Sequence, residues 1–118
     1  MDLGSRTAQL CIAGTQAEFE RRIDDARTLF REAWEAAADD HDACIAAHYV
    51  AHLEPDPHAA LRWNMVALEH GRLDERANEF MGSLLVSVGG AHESLGDHAE
   101  AERYFAMASE LGVEHFRG

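Results

Sequence analysis

The sequence predicts an all-α fold. Alanine is abundant, β-branched residues are sparse, and the 118 residues include nine glycines but only two prolines, a composition that favours helices. Capping signals also recur at intervals of helical length. We expect one domain spanning residues 1–118, because a chain of this length can build one modest core but not two.

The first two boundaries come from capping residues. Thr15 and Glu18 have the spacing of a capping box, which predicts a helix running to about residue 38. A short helical stretch over residues 6–13 would precede it and end at Gly14. Asp39 or Asp40 would cap the next helix, which has to stop before Pro55.

Similar signals set the later boundaries. Asp56 followed by Pro57 is a strong helix start, and that helix would close at Gly71. A long segment would then run from 74 to 96. Asp97 and Glu100 form a second capping box, which opens a last helix ending near residue 112.

Three of these segments repeat one another. DARTLFREAWE at 25–35 and AALRWNMVALE at 59–69 superpose at an offset of 34 residues. EAERYFAMASE at 100–110 follows at a further offset of 41. The extra seven residues equal about two helical turns, so a longer preceding helix would keep the packing phase. A helix–turn–helix period of 34 is that of a tetratricopeptide repeat (TPR).

The chain therefore resembles the TPR family, most clearly in LLVSVGGAHESLGDHAEAERYFAMASEL at 84–111. The positions that match the family pattern there are Leu85, Val88, Gly89, His92, Gly96, Asp97, Ala101, Tyr104, Phe105 and Ala108. The match over 41–70 is weaker, and it rests on Cys44, Ala47, His48, Ala51, Ala60, Asn64 and Ala67.

The resemblance implies TPR-like helical hairpins in a short right-handed superhelix of about five to six helices. Residues 15–38 would be an N-terminal repeat helix, and 41–71 and 74–112 would be repeats. The chain is similar, more narrowly, to small TPR proteins of GC-rich bacteria, a likeness that brings no activity with it. Its abundant alanine and the presence of arginine without lysine also suggest a GC-rich bacterial genome.

The stretch HDACIAAHYVAH at 41–52 raises the question of a metal site. His41, Cys44, His48 and His52 fall at i, i+3, i+7 and i+11, on one face of a helix. Zinc needs three or four ligands in good geometry, however, and the sequence has neither a CxxC nor an HExxH motif. We expect no cofactor, and metal binding ranks third among the functions considered.

The repeat register offers a packing explanation for the same histidines. In the better repeat Gly89 would face Phe105, a small residue opposite a ring. The equivalent positions of the weaker repeat are His48 and Asn64. A buried imidazole needs a hydrogen-bond partner, so we predict that His48 and Asn64 form a packed polar pair.

The family resemblance also implies a binding groove, lined by the first helix of each repeat. Carried over by position, its residues are Asp42, Ile45, Tyr49, His52 and Leu53 in one repeat and Ser83, Val86, Gly90, Glu93 and Ser94 in the other. This mixture suits a partner segment with apolar anchors and a basic residue. It lacks the basic residues with which some TPR domains clamp acidic chaperone tails. The alternative is that Ile45, Tyr49 and Leu53 pack against the N-terminal helix.

Charge narrows the range of partners. The formal net charge is −12, which argues against nucleic acid and against an anionic membrane. We expect a cytoplasmic protein, because no apolar run is long enough to span a bilayer and the N-terminus lacks the pattern of a signal peptide. Two cysteines, Cys11 and Cys44, fit that compartment as reduced thiols.

The leading interpretation is a protein–protein interaction module, a TPR scaffold that holds a partner segment and has no catalytic activity. Small-molecule binding in the groove around Tyr49 and His52 is the alternative, with a cationic or amphipathic ligand. We also expect a homodimer, because Leu111, Val113 and Phe116 would have no following helix to cover them. No nucleophile, base or phosphate-binding loop points to an enzyme.

Overall fold

The computed structural model describes residues 4–112 of the chain, which are helices joined by short turns. This confirms the all-α prediction. The α-helices are α1 (Arg6–Phe19), α2 (Ile23–Glu35), α3 (Asp40–His52), α4 (Pro57–Gly71), α5 (Met81–Ser94) and α6 (His98–Glu110), and a 3₁₀ helix (Glu75–Phe80) precedes α5. Among these described helices none is both long enough and apolar enough to cross a membrane.

Consecutive helices pack as three hairpins, α1–α2, α3–α4 and α5–α6. Contacts of α2 with α3 and of α4 with α5 join the hairpins, and α1 also touches α3. The largest core cluster lies between the second and third hairpins and includes Leu68, Leu84 and Val88. Each helix thus buries one face against its neighbour along the chain, which gives small helical proteins most of their stability.

Side-chain caps at three helix starts lie where the sequence predicts them. Asp39 accepts a hydrogen bond from the backbone N–H of Asp42, and Asp56 accepts one from that of His58, with Pro57 as the first helical residue. Asp97 caps α6 in the same way. These caps satisfy N–H groups that have no partner within the helix.

The N-terminal boundaries differ from the prediction. No helix runs from 15 to 38, because α1 continues past Gly14 to Phe19 and α2 begins at Ile23. The turn between them places Arg21 at a φ of 65°. This left-handed conformation usually requires glycine, so the sequence gives no sign of a turn at an arginine. Thr15 is no cap: its hydroxyl donates to the carbonyl of Cys11 within α1.

The insertion before α5 also differs. We expected one long helix from residue 74, with two extra α-helical turns. Residues Glu75–Phe80 instead form a 3₁₀ helix, capped by Asp74, and α5 starts after it. Phe80, the last residue of this 3₁₀ helix, packs against residues of α3, among them Ile45 and His41.

Two hairpins use the same small-against-large packing. A Cβ atom added to Gly14 would lie 2.4 Å from Cε1 of Phe30, and one added to Gly89 would lie 2.5 Å from Cε1 of Phe105. The predicted contact between Gly89 and Phe105 is therefore confirmed. The first hairpin shows the same arrangement, although the sequence analysis took Gly14 for a helix end.

The expected dimer contact lies mostly outside the described residues. Leu111 is exposed at the end of α6, whereas Val113 and Phe116 fall beyond residue 112. Self-association through this end of the chain stays a prediction.

Candidate functional site

An open cavity lies between α3 and α5. Its volume is about 300 Å³, and its lining residues are Cys44, Ile45, His48, Tyr49, Phe80, Ser83 and Leu84. The first four come from the first helix of the second hairpin, and Ser83 and Leu84 come from the first helix of the third. The cavity is therefore a gap between two neighbouring hairpins.

The wall of the cavity is mostly apolar. Phe80 reaches it from the end of the 3₁₀ helix, and Ile45 and Leu84 are buried side chains. The ring of Tyr49 is held by stacking on Phe30 in α2, with 4.9 Å between ring centroids. Because both walls belong to packed helices, the cavity is preformed, as most ligand sites are.

The structure brings only part of the predicted groove to this cavity. Ile45, Tyr49 and Ser83 line it. Leu53 instead packs with the cluster around Phe30, and Val86 packs against the largest core cluster. Ile45 and Tyr49 also contact the apolar clusters of the first hairpin. They therefore fit the alternative prediction as well, in which they pack against the N-terminal part of the chain.

The charged groove candidates have other contacts. Asp42 is buried and accepts a hydrogen bond from the backbone N–H of Ala38. His52 lies 2.9 Å from Glu18 in α1, measured from Nε2 to Oε2. Glu93 is half-buried and is not part of the cavity lining. The cavity is therefore more apolar than the predicted groove.

His48 takes a different position from the predicted one. It lines the cavity, and its Nδ1 atom is buried without a hydrogen-bond partner. No hydrogen bond joins it to Asn64 within the part of the chain that the structure describes, so the hydrogen bond predicted for this pair is not formed. Burial, reinforced by the nearby charge of His52, lowers the pKa of His48 below its ordinary value.

This lowered pKa predicts a loss of stability in mild acid. Below pH 6.5, the ordinary pKa of histidine, residue 48 takes up a proton more readily in the unfolded chain than in the folded chain. Stability should therefore fall as pH drops from 6.5 toward the folded pKa. We expect wild type to lose up to about 1 kcal/mol more than His48→Gln between about pH 7.5 and 5.5.

Urea unfolding of both proteins at several pH values measures this difference. Both proteins also carry His52→Gln, which removes the neighbouring charge that acts on His48 and leaves every other titratable group common to the two chains. Parallel pH profiles for the two proteins would contradict the assignment.

The four members of the histidine-rich stripe do not meet at one point. Within residues 4–112, one group of three or more potential ligands has its ligand atoms within 4.8 Å of one another, and it consists of Asp39, His41 and Asp42. His41 is the only stripe residue in it. Cys44 is buried, and burial raises the pKa of its thiol to about 11, which disfavours the thiolate form that binds metals.

Phe80 and Leu84 are the site residues that the sequence reasoning missed. The 34-residue period predicted a groove lined only by the first helix of each repeat. The seven-residue insertion, which contains Phe80, was predicted to lengthen a helix. Phe80 closes the insertion, where an aromatic residue directly precedes the apolar stretch MGSLLV. That juxtaposition is a signal that could have placed the ring beside α5.

Scanned against models of known protein families, against curated protein sequences and against solved structures, the chain gives no significant match in any of the three comparisons.

Proposed function

We propose that this chain is a protein-interaction module that holds one apolar side chain of a partner segment in the cavity between α3 and α5. One observation carries the proposal: the first helices of two adjacent hairpins leave an apolar space of about 300 Å³ open at the surface. That volume is at the lower end for ligand sites, which run from about 300 to 1,000 Å³. It suits a single large anchor, and a buried anchor of that kind dominates many interfaces.

The proposed architecture is a short TPR-like superhelix. Three consecutive hairpins, with the cavity on the side of the first helices, support this reading. In such an arrangement an extended segment runs across the first helices and inserts its anchor between two of them. The proposal assigns the chain a binding role without catalysis.

The proposed partner segment carries basic residues beside its anchor. The net charge of −12 attracts a basic chain and speeds its association. The cavity itself offers few polar groups. The negative charge of the chain therefore acts on basic residues around the cavity, whereas the apolar anchor of the partner is buried inside it. An acidic segment would be repelled on approach.

A peptide-display selection tests this function. We expect enrichment of segments that combine an aromatic or large aliphatic residue with arginine or lysine. Ser83→Phe places a ring at the cavity wall and should weaken binding of the selected peptides by about tenfold or more, the effect of losing an anchor contact of at least about 1.4 kcal/mol.

Ser109→Phe is the matched control, since Ser109 is an exposed serine on α6 and not part of the cavity lining. It should bind the peptides as wild type does. A selection that enriches nothing, or peptides that bind Ser83→Phe with unchanged affinity, would remove the proposal.

A second candidate occupant is a small amphipathic molecule. It is favoured by His48 in the cavity lining, which gives the mostly apolar wall a polar side chain, as small-molecule sites often have. A compound screen by thermal shift separates the two candidates: this function requires a compound that stabilises wild type but not Ser83→Phe, with no peptide enriched in the selection above.

A further inference from the structure

We infer that Asp39, His41 and Asp42 form a binding site for a divalent transition-metal ion of the zinc type. The site lies at the start of α3, and none of its three residues lines the cavity. It is independent of the proposed binding function and uses only one residue of the histidine-rich stripe. Two carboxylates and an imidazole are all ligands that zinc accepts.

The three ligand atoms are close enough to meet at one ion. Each of the three residues offers one atom, and the three atoms lie within 4.8 Å of one another. Zinc binds such atoms at about 2.0–2.2 Å, so ligand atoms around it are roughly 3.3 Å apart. Binding therefore requires these atoms to approach one another by at most about 1.5 Å. A water molecule would complete the tetrahedral set, as in zinc sites with three protein ligands.

The buried imidazole is the observation that points to a ligand. His41 is only 2% exposed, and its Nδ1 atom has no hydrogen-bond partner. Its ring packs at 6.0 Å from the ring of Phe80, which holds it at the start of α3. Buried polar atoms without partners are rare in proteins and call for an explanation. An ion beside the two carboxylates would give the imidazole a partner, because one of its ring nitrogens lies within 4.8 Å of an oxygen of each carboxylate.

The charge balance around His41 favours a divalent cation. Arg76 contacts two acids of this region: its Nη2 lies 2.8 Å from Oδ2 of Asp39 and 2.6 Å from Oδ2 of Asp74. With Asp42 there are three carboxylates against one guanidinium, a formal excess of two negative charges. One divalent ion neutralises it. The positive end of the α3 dipole disfavours a cation at this position. The excess negative charge of the carboxylates counteracts that effect.

Helix capping is compatible with metal binding. Oδ1 of Asp39 accepts from the backbone N–H of Asp42 at 2.8 Å, and Oδ2 of Asp42 accepts from that of Ala38 at 3.2 Å. Each carboxylate has about four lone-pair directions, so both can bind an ion and keep these bonds. Outer contacts of this kind orient the ligands of metal sites. The caps and Arg76 thus preorganise the carboxylates.

The donor set also selects the type of ion. Calcium takes six to eight oxygen ligands, and magnesium keeps an octahedral shell of oxygens. Three protein ligands that include an imidazole suit zinc and its neighbours better. Neither Cys11 nor Cys44 belongs to this group of ligand atoms.

Calorimetric titration of the chelator-treated full chain with Zn²⁺ tests the site. We expect one ion per chain, and no displacement by excess Mg²⁺. Asp39→Asn and His41→Gln should each weaken binding by about tenfold or more, since changes even to the outer contacts of a metal site cost 10–100-fold. Asn caps a helix as well as Asp does, so Asp39→Asn separates loss of the ion from loss of the fold.

Two controls make the test specific. Asp40→Asn changes the charge by the same amount at the neighbouring residue, whose carboxylate contacts His70 instead. His58→Gln removes an exposed histidine at the start of α4. Both should bind Zn²⁺ as wild type does, with far-UV circular dichroism confirming helicity. Binding that is substoichiometric, or that Asp39→Asn and Asp40→Asn weaken equally, would overturn the assignment.

Discussion

Phe30→Ala is expected to lower the free energy of unfolding by about 3–5 kcal/mol, the range for deleting a buried aromatic ring. Phe30 is fully buried, at 0% exposure, and its ring fills the space over Gly14. It also stacks on Tyr49, with 4.9 Å between ring centroids. The substitution therefore opens a cavity between the first and second hairpins and removes the support of one cavity-lining side chain.

Chemical unfolding followed by circular dichroism measures this loss. Phe19→Ala is the matched control, because Phe19 is 84% exposed at the end of α1. Its effect should stay within about 0.5 kcal/mol of zero. Similar losses for the two variants would mean that Phe30 is not in the core position described above.

Gly89→Ala and Gly90→Ala should change stability in opposite directions, although the two glycines are neighbours in α5. A Cβ at position 89 would lie 2.5 Å from Cε1 of Phe105, whereas one at position 90 would have no described heavy atom within 4 Å apart from its chain neighbours and the backbone of its own helix. Phe105 is itself buried, so its ring cannot simply swing aside. We expect a net loss of about 1–3 kcal/mol for Gly89→Ala, the usual cost of overpacking.

Gly90→Ala should instead stabilise the chain by about 0.5–1 kcal/mol, because alanine loses less backbone entropy than glycine in a helix interior. The same unfolding experiment gives both values, and each variant serves as the control for the other. If Gly90→Ala lowered the free energy of unfolding as much as Gly89→Ala does, close packing against Phe105 would not be the reason that alanine is unfavourable at position 89.

Local signals predicted the starts of α3, α4 and α6, because a cap is decided by a few adjacent residues. Asp39, Asp56 and Asp97 each bind a backbone N–H within the next three positions. The turn between α1 and α2 lacks such a signal. Arg21 adopts its positive φ without glycine, and the role of Gly14 depends on Phe30, a residue of another helix. Tertiary packing decided this boundary.

The cavity was predictable only in part for a similar reason. Ile45, Tyr49 and Ser83 follow from the repeat register, which fixes one face of each first helix. The direction of His48 depends on the space left by α5, and the position of Phe80 depends on the 3₁₀ helix before it. Both are properties of how two hairpins meet, and a single period in the sequence does not specify that geometry.

Burial of the two cysteines has a consequence for the redox behaviour of the chain. Only the thiolate attacks a disulfide or an oxidant at a useful rate, and burial raises the pKa of Cys11 to about 12 and that of Cys44 to about 11. The folded chain therefore shields both thiols from exchange, in oxidising as well as reducing surroundings. The burial of both thiols is a property of the fold, and so the two cysteines carry no information about the compartment in which the protein works.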